Sequence, residues 1–137
     1  MSWRLDSAAF VAAWHAACAS DEVLAVWQGS WNTTFAIACD GVEERFRFVD
    51  GRCVPGLGTP AFTLSAPAGV WEKFLQPIPP RHHHAIFALR MRVPEFRIEG
   101  DELAFAQHCH IARRVLEVGK WLHLGNTDRK STRLNSS

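Results

Sequence analysis

Two Asp-Gly pairs, Asp40-Gly41 and Asp50-Gly51, restrict this chain more than any other feature. Each separates runs of alternating polarity. Phe35, Ile37 and Cys39 alternate with Thr34, Ala36 and Ala38 before the first pair. Phe46 and Phe48 alternate with Arg45, Arg47 and Val49 before the second, and Cys53-Val54-Pro55 follows it. Asp-Gly tolerates the left-handed backbone that a two-residue hairpin turn needs, and alternation with period two places one set of side chains on one sheet face. The pattern predicts a three-strand antiparallel meander over about 31–55.

The flanking segments change period. Residues 7–19 carry Phe10, Trp14 and Cys18 at spacings of four, with Asp6 as the expected N-cap. Ser20 is expected to cap a second short helix, with Asp21 and Glu22 in its first turn and Gly29 at its end. After the loop PGLGTP, AFTLSA (61–66) alternates again. Pro67 then opens a helix with Trp71, Phe74 and Leu75 on its apolar face, and PIPP stops it. Residues 84–93 fit either period: Ile86, Leu89 and Val93 suit a helix, whereas Phe87, Leu89, Met91 and Val93 suit a strand. The reading leans to a helix. EFRIEG (95–100) is a strand with Phe96 and Ile98 inward. Gly100 ends it, and Asp101 caps a final helix over 101–123 whose stripe is Phe105, Cys109, Ala112, Val115, Leu116, Gly119 and Leu122. His108 falls within that stripe, and His110, Arg114 and Glu117 fall opposite it. The order predicts an α+β domain: one mainly antiparallel sheet of about five strands, with helices packed on one face.

With 137 residues, 47% hydrophobic, the chain suits one domain with one core. The domain is read as 1–126. The remainder, TDRKSTRLNSS (127–137), is polar and aperiodic, so it reads as a disordered tail; it matches translated sequencing-adapter read-through. Without Arg129, Lys130, Arg133 and Asp128 the net charge of +1 becomes −1. Neither value suits nucleic acid as a partner. No stretch reaches the ~18 apolar residues of a membrane span. The N-terminal apolar patch is interrupted by His15 and preceded by Asp6, so an amphipathic helix explains it better than a signal peptide. Cys18, Cys39, Cys53 and Cys109 form no CxxC pair and read as buried thiols in a reducing, cytoplasmic setting.

The histidines invite a search for chemistry. His82, His83 and His84 are consecutive, so their side chains diverge and do not converge on a metal unaided. They read as a polar turn after PIPP, with one ring beside a cleft. His108 reads as a satisfied core residue or as the polar anchor of an apolar pocket; as a general base it would need a carboxylate partner. There is no GxSxG, HExxH, Walker loop or GxGxxG. No metal and no cofactor are expected. Asp40 and Asp50 read as turn residues only. Trp121 and Leu103 fall on the outward face of the last helix, and with Trp3 and Trp31 they suggest a contact surface.

The order of hairpin meander, strand, apolar helix VWEKFL (70–75), Pro-rich join and FRIEGDELAFAQHCHIARRVL (96–116) resembles the sterol carrier protein type two family. In that family a strand ending in Gly-Asp, here Gly100 and Asp101, opens the closing helix. The resemblance spans about 20–123. It implies an α/β sandwich with an apolar cavity that takes lipids, acyl chains or other hydrophobic molecules. It also implies use as an accessory or dimerising module of a longer enzyme such as an α/β-hydrolase, and it carries over no catalytic residue. The expected ligand-binding residues are Phe35, Ile37, Phe46, Phe48, Phe62, Leu64, Trp71, Phe74, His84, Phe87, Met91, Phe105, His108 and Cys109. The expectation is thus a non-catalytic domain that binds a hydrophobic small molecule or lipid. A docking or homodimerising module with a filled core is the alternative, and a small enzyme using His108 as base is the third reading.

Overall fold

The structure, a computed structural model, describes residues 3–28, 32–49, 52–55 and 58–125. Within these, α1 (Ala8–Ala19) and α2 (Glu22–Gln28) precede the meander β1 (Thr33–Cys39), β2 (Val42–Val49) and β3 (Arg52–Pro55). Then come β4 (Phe62–Ala66), α3 (Ala68–Phe74), α4 (Ile86–Arg92), β5 (Arg97–Gly100) and α5 (Glu102–His123). The sheet order is β3-β2-β1-β4-β5, antiparallel except where β1 pairs with β4. The domain is therefore α+β, as expected.

The first Asp-Gly pair forms the predicted turn. Asp40 and Gly41 both have positive φ, +50° and +85°, and Cys39 pairs with Val42 across a two-residue loop. Asp50-Gly51, Gly29 and Trp31 lie outside the described residues. One sheet face carries Phe35, Ile37, Phe46, Phe48, Phe62 and Leu64, all buried. The register sets Phe35 between Phe46 and Phe62, and its ring stacks on both, with centroids 5.9 and 5.3 Å away. The opposite face carries Arg45, Arg47, Thr63, Arg97 and Glu99. Helices cover the aromatic face: Trp14 of α1 meets Phe46 edge-on, and Phe105 of α5 meets Phe62 edge-on.

Gly100 and Asp101 explain the abrupt join of β5 to α5. Gly100 has φ +104°, and a Cβ there would lie 2.5 Å from the Ala61 carbonyl oxygen. That oxygen accepts from the Asp101 backbone N–H, while the Asp101 carboxylate caps α5 through the N–H groups of Leu103 and Ala104. Gly119 serves packing instead. A Cβ there would meet the Trp14 ring at 2.7 Å, and Trp14 Nε1 donates to the Val115 carbonyl at 2.8 Å.

Several local expectations are corrected. Ser7, not Asp6, caps α1, and Asp6 pairs with Arg4. Ser20 closes α1, donating to the carbonyls of Ala16 and Ala17, and the Asp21 carboxylate caps α2 by accepting from Leu24. Arg114 is buried, because α2 packs on α5 and Asp21 supplies a bidentate partner. Ile111 and Val118 are buried as well, while Cys109 and Leu122 are half-buried, because α5 meets α1, α2 and the sheet over a wide arc. Within 84–93 the chain forms a helix over Ile86–Arg92, with Ile86 and Leu89 inward. That orientation turns Phe87 and Met91 outward, 50% and 77% exposed, so their inward placement was wrong. Trp3 and Trp121 pack against the core, whereas Leu103 is exposed as expected. Of the four cysteines only Cys18 is fully buried.

Candidate functional site

At the end of the sheet marked by the β1–β2 turn, a cleft of about 510 Å3 opens between that turn, the N-terminal segment, α3 and the end of α5. Trp3, Leu5, Cys39, Val42, Trp71 and Leu75 form its apolar wall. Arg4, Asp6, Asp40, Glu72 and His123 supply polar atoms. A volume of this size, mostly apolar with a few charged groups, suits a small hydrophobic ligand with a polar end.

Each wall is fixed by a specific bond. Trp71 Nε1 donates to the Ala38 carbonyl at 2.9 Å, tying α3 to β1. The Asp40 carboxylate accepts from the Ala68 N–H at 3.1 Å, so the turn residue also caps the start of α3. The Trp3 backbone N–H donates to His123 Nδ1 at 2.9 Å, joining the first residues to the last helix. The Trp3 ring lies against Phe10, Trp14 and Trp71. Its Nε1 is buried and has no hydrogen-bond partner among the described residues.

The charges around the cleft follow from these contacts. The Arg4 guanidinium, hydrogen-bonded to Asp6, holds that carboxyl below its usual range, in full solvent. Burial lowers the His123 pKa, which favours the neutral ring whose Nδ1 accepts from the Trp3 N–H. Burial first, then Asp40, Glu72 and Asp6, pushes the Cys39 thiol up, which keeps it protonated.

The expected ligand residues fall into separate places. Phe35, Ile37, Phe46, Phe48, Phe62, Leu64 and Phe105 pack on one another within the layer between sheet and helices. Trp71 reaches the cleft just described. Phe74 and His84 border a second hollow of about 400 Å3 against α5, with Ile86, Leu116 and Trp121. His108 borders a third, of about 360 Å3, near Thr34 and Arg47, and its Nδ1–H donates to the Ala104 carbonyl one turn earlier. Phe87, Met91 and Cys109 belong to none of these three hollows. His82 adopts a positive φ in the turn after PIPP, and His83 Nδ1 bonds the Arg81 carbonyl. Among the described residues, no group of three or more His, Cys, Asp or Glu side chains is placed to hold a metal.

Trp3, Leu5, Val42, Leu75 and His123 were missed as cleft residues. Their signals are weak: Trp3 and Leu5 precede the first helix, and Val42 begins a strand as an ordinary β-branched residue. Only folding brings Trp3 and His123 together.

No protein-family model and no curated protein matches this sequence. Solved structures do match in shape. The crystal structure of sterol carrier protein 2 overlays with a TM-score of 0.66, over 85% of this chain and 98% of its own, at 17% identity. The solution structure of a conserved hypothetical protein from Thermus thermophilus, described as possibly a sterol carrier protein, overlays with a TM-score of 0.64. It covers 88% of this chain and 91% of its own at 18% identity. The strand order, the Gly100-Asp101 join and the long closing helix thus build the fold of sterol carrier protein 2.

Proposed function

We propose that this domain binds a hydrophobic small molecule or lipid and does not transform it. The observation that carries the reading is the apolar cleft beside Trp71, walled by Trp3, Leu5, Val42 and Leu75 and edged by charged groups. The apolar part of the ligand would lie on the tryptophan and aliphatic wall. Its polar end would meet Arg4 at the edge of the cleft. The shared fold with sterol carrier protein 2 supports the reading. In the same reading the domain serves as a cytoplasmic accessory module of a longer enzyme, handing it an apolar molecule.

Val42 is a suitable probe because it is 41% exposed at the hairpin end and borders the cleft. Val42→Glu sets a carboxylate beside an apolar wall already flanked by Asp40 and Glu72. It should weaken binding of a fluorescent acyl probe about tenfold or more, the effect of ~1.4 kcal/mol, with little change in melting temperature. Equal binding by Val42→Glu and the parent would refute this site.

A second reading, docking through an apolar surface, rests on the exposure of Ile78, Phe87, Met91 and Leu103. It predicts concentration-dependent dimers in light scattering that a Phe87→Ser, Met91→Ser variant abolishes. A strictly monomeric parent across the concentration range would remove self-association from consideration.

A further inference from the structure

A second group of reactive side chains lies away from the cleft, where α1 crosses the sheet edge formed by β2 and β3. His15 of α1 stacks on Phe46 of β2, with centroids 4.3 Å apart and planes 18° from parallel. Its Nε2 meets the Glu44 carboxylate at 2.5 Å. Its Nδ1 is buried and, among the described residues, accepts no hydrogen bond and donates none. Cys53 stands on the same sheet face, because β3 pairs it with Phe48, two residues beyond Phe46. Glu44 lies two residues before Phe46. The imidazole thus meets a carboxylate on one side and has the Cys53 thiol as its other electrostatic neighbour. One turn further along α1, the buried Cys18 thiol comes beside Cys53.

We propose that Cys53 and Cys18, served by the His15–Glu44 pair, form a thiol redox site that reduces a hydroperoxide and closes into a disulfide. Carboxylate, imidazole and thiol in sequence are what a reactive cysteine requires: a base to take the thiol proton and an acid to hold that base in place. Half-burial gives Cys53 partial access, and a second thiol within contact supplies the resolving group.

The balance is simple. Cys53 gives its proton to His15. The thiolate attacks one oxygen of ROOH, the O–O bond breaks, and the departing alkoxide takes the proton from His15 to leave as ROH. Cys53 is then a sulfenic acid. The Cys18 sulfur attacks the Cys53 sulfur, the S–O bond breaks, and hydroxide leaves as water with the Cys18 proton. Two thiols lose two electrons, and the hydroperoxide becomes an alcohol and water.

The electrostatics agree. The Cys18 thiol beside it pulls the Cys53 pKa down to about 6 against the cost of burial, and His15 adds to the effect. Burial opposes protonation of His15, but Cys53 and Glu44 outweigh it and raise the ring's pKa. The groups facing Cys53 are thus His15 and Cys18 from α1, with Glu44 of β2 acting through the imidazole.

The test is mass-resolved alkylation of the full chain with iodoacetamide between pH 5 and 9, followed by reaction with hydrogen peroxide. A thiol half-ionised near pH 6 reacts about tenfold faster at that pH than an ordinary thiol, after allowance for its weaker intrinsic nucleophilicity. Cys53 should therefore label with a midpoint near pH 6, while Cys39 labels only in the alkaline range. Peroxide should remove two hydrogens, and peptide mapping should join Cys18 to Cys53. His15→Gln and Glu44→Gln should both raise the labelling midpoint, and Cys18→Ser should leave Cys53 as a trappable sulfenic acid. Since any one variant could fail to fold, the parent protein decides on its own. A Cys53 midpoint in the ordinary thiol range, or peroxide oxidation that never links Cys18 to Cys53, overturns the proposal.

Discussion

Arg114 is buried in the middle of α5 and held by Asp21 in a bidentate contact, Nε to Oδ2 at 2.9 Å and Nη2 to Oδ1 at 3.0 Å. The same Asp21 oxygen accepts from the Leu24 N–H at 3.0 Å, and the guanidinium lies 4.8 Å from the Trp121 ring centre. Removing one member of a buried pair leaves the other charge unpaired, at a cost of about 3–5 kcal/mol. Arg114→Met keeps the length of the side chain but leaves the Asp21 carboxylate buried without its cation. Part of the cost is the lost contact with Trp121, worth ~0.5–1 kcal/mol. Glu117 reaches Arg114 Nη1 and Arg113 Nε, each at 3.8 Å, and offers Asp21 no charge relief. For a domain of this size, each kcal/mol moves the melting temperature by about 3–5 °C, so a fall of about 10–20 °C is expected. Adding Asp21→Asn removes the stranded charge and keeps an oxygen for the Leu24 N–H. The double variant should therefore recover about half the loss or more. Urea titration with an unchanged slope would assign the effect to stability alone. A single variant melting within ~3 °C of the parent, or a double variant whose loss is the sum of the two single losses, would refute the reasoning.

Other positions give sharp expectations. Gly100→Ala combines a left-handed backbone with a clash at the Ala61 carbonyl, so it should destabilise by ~3 kcal/mol or more in the same urea titration. Gly119→Ala should cost about 1–3 kcal/mol, and because Trp3 must shift with Trp14, acyl-probe affinity should fall with it. The His15–Glu44 contact should depend on pH. The folded ring holds its proton more tightly than free imidazole, so the contribution is complete below about pH 6.5 and is lost as pH rises through the higher folded pKa. Glu44→Gln should thus cost about 1 kcal/mol at pH 5.5 and less at pH 8.5; a larger cost at the higher pH would contradict that sign.

Which features were legible in the sequence follows from how local their causes are. The Asp40-Gly41 turn could be read because both residues tolerate positive φ, and the alternation of Phe35, Ile37, Phe46 and Phe48 placed them on the covered face. Asp101 could be read as a cap because capping needs only the next few residues. Arg114 could not, since its burial depends on Asp21, far away in the chain. Phe87 and Met91 were misread inward because a seven-residue helix carries too few turns to distinguish one period from the other. The cleft itself escaped notice because its walls come from segments far apart in the sequence: Trp3–Asp6, the β1–β2 turn, α3 and His123. Asp40 looked like a turn residue and nothing else, yet its carboxylate holds α3 in place. The aromatic residues expected to line a ligand pocket lie buried in the layer between sheet and helices, a placement that strand alternation made legible.

The most direct measurement of the central claim is native mass spectrometry of the full chain as purified, with solvent extraction of anything bound, compared with Val42→Glu. A near-stoichiometric apolar compound on the parent, absent or depleted on the variant, is the predicted result. A bare parent mass that stays bare after incubation with acyl compounds would contradict a hydrophobic-ligand-binding role, whatever the shape of the cleft.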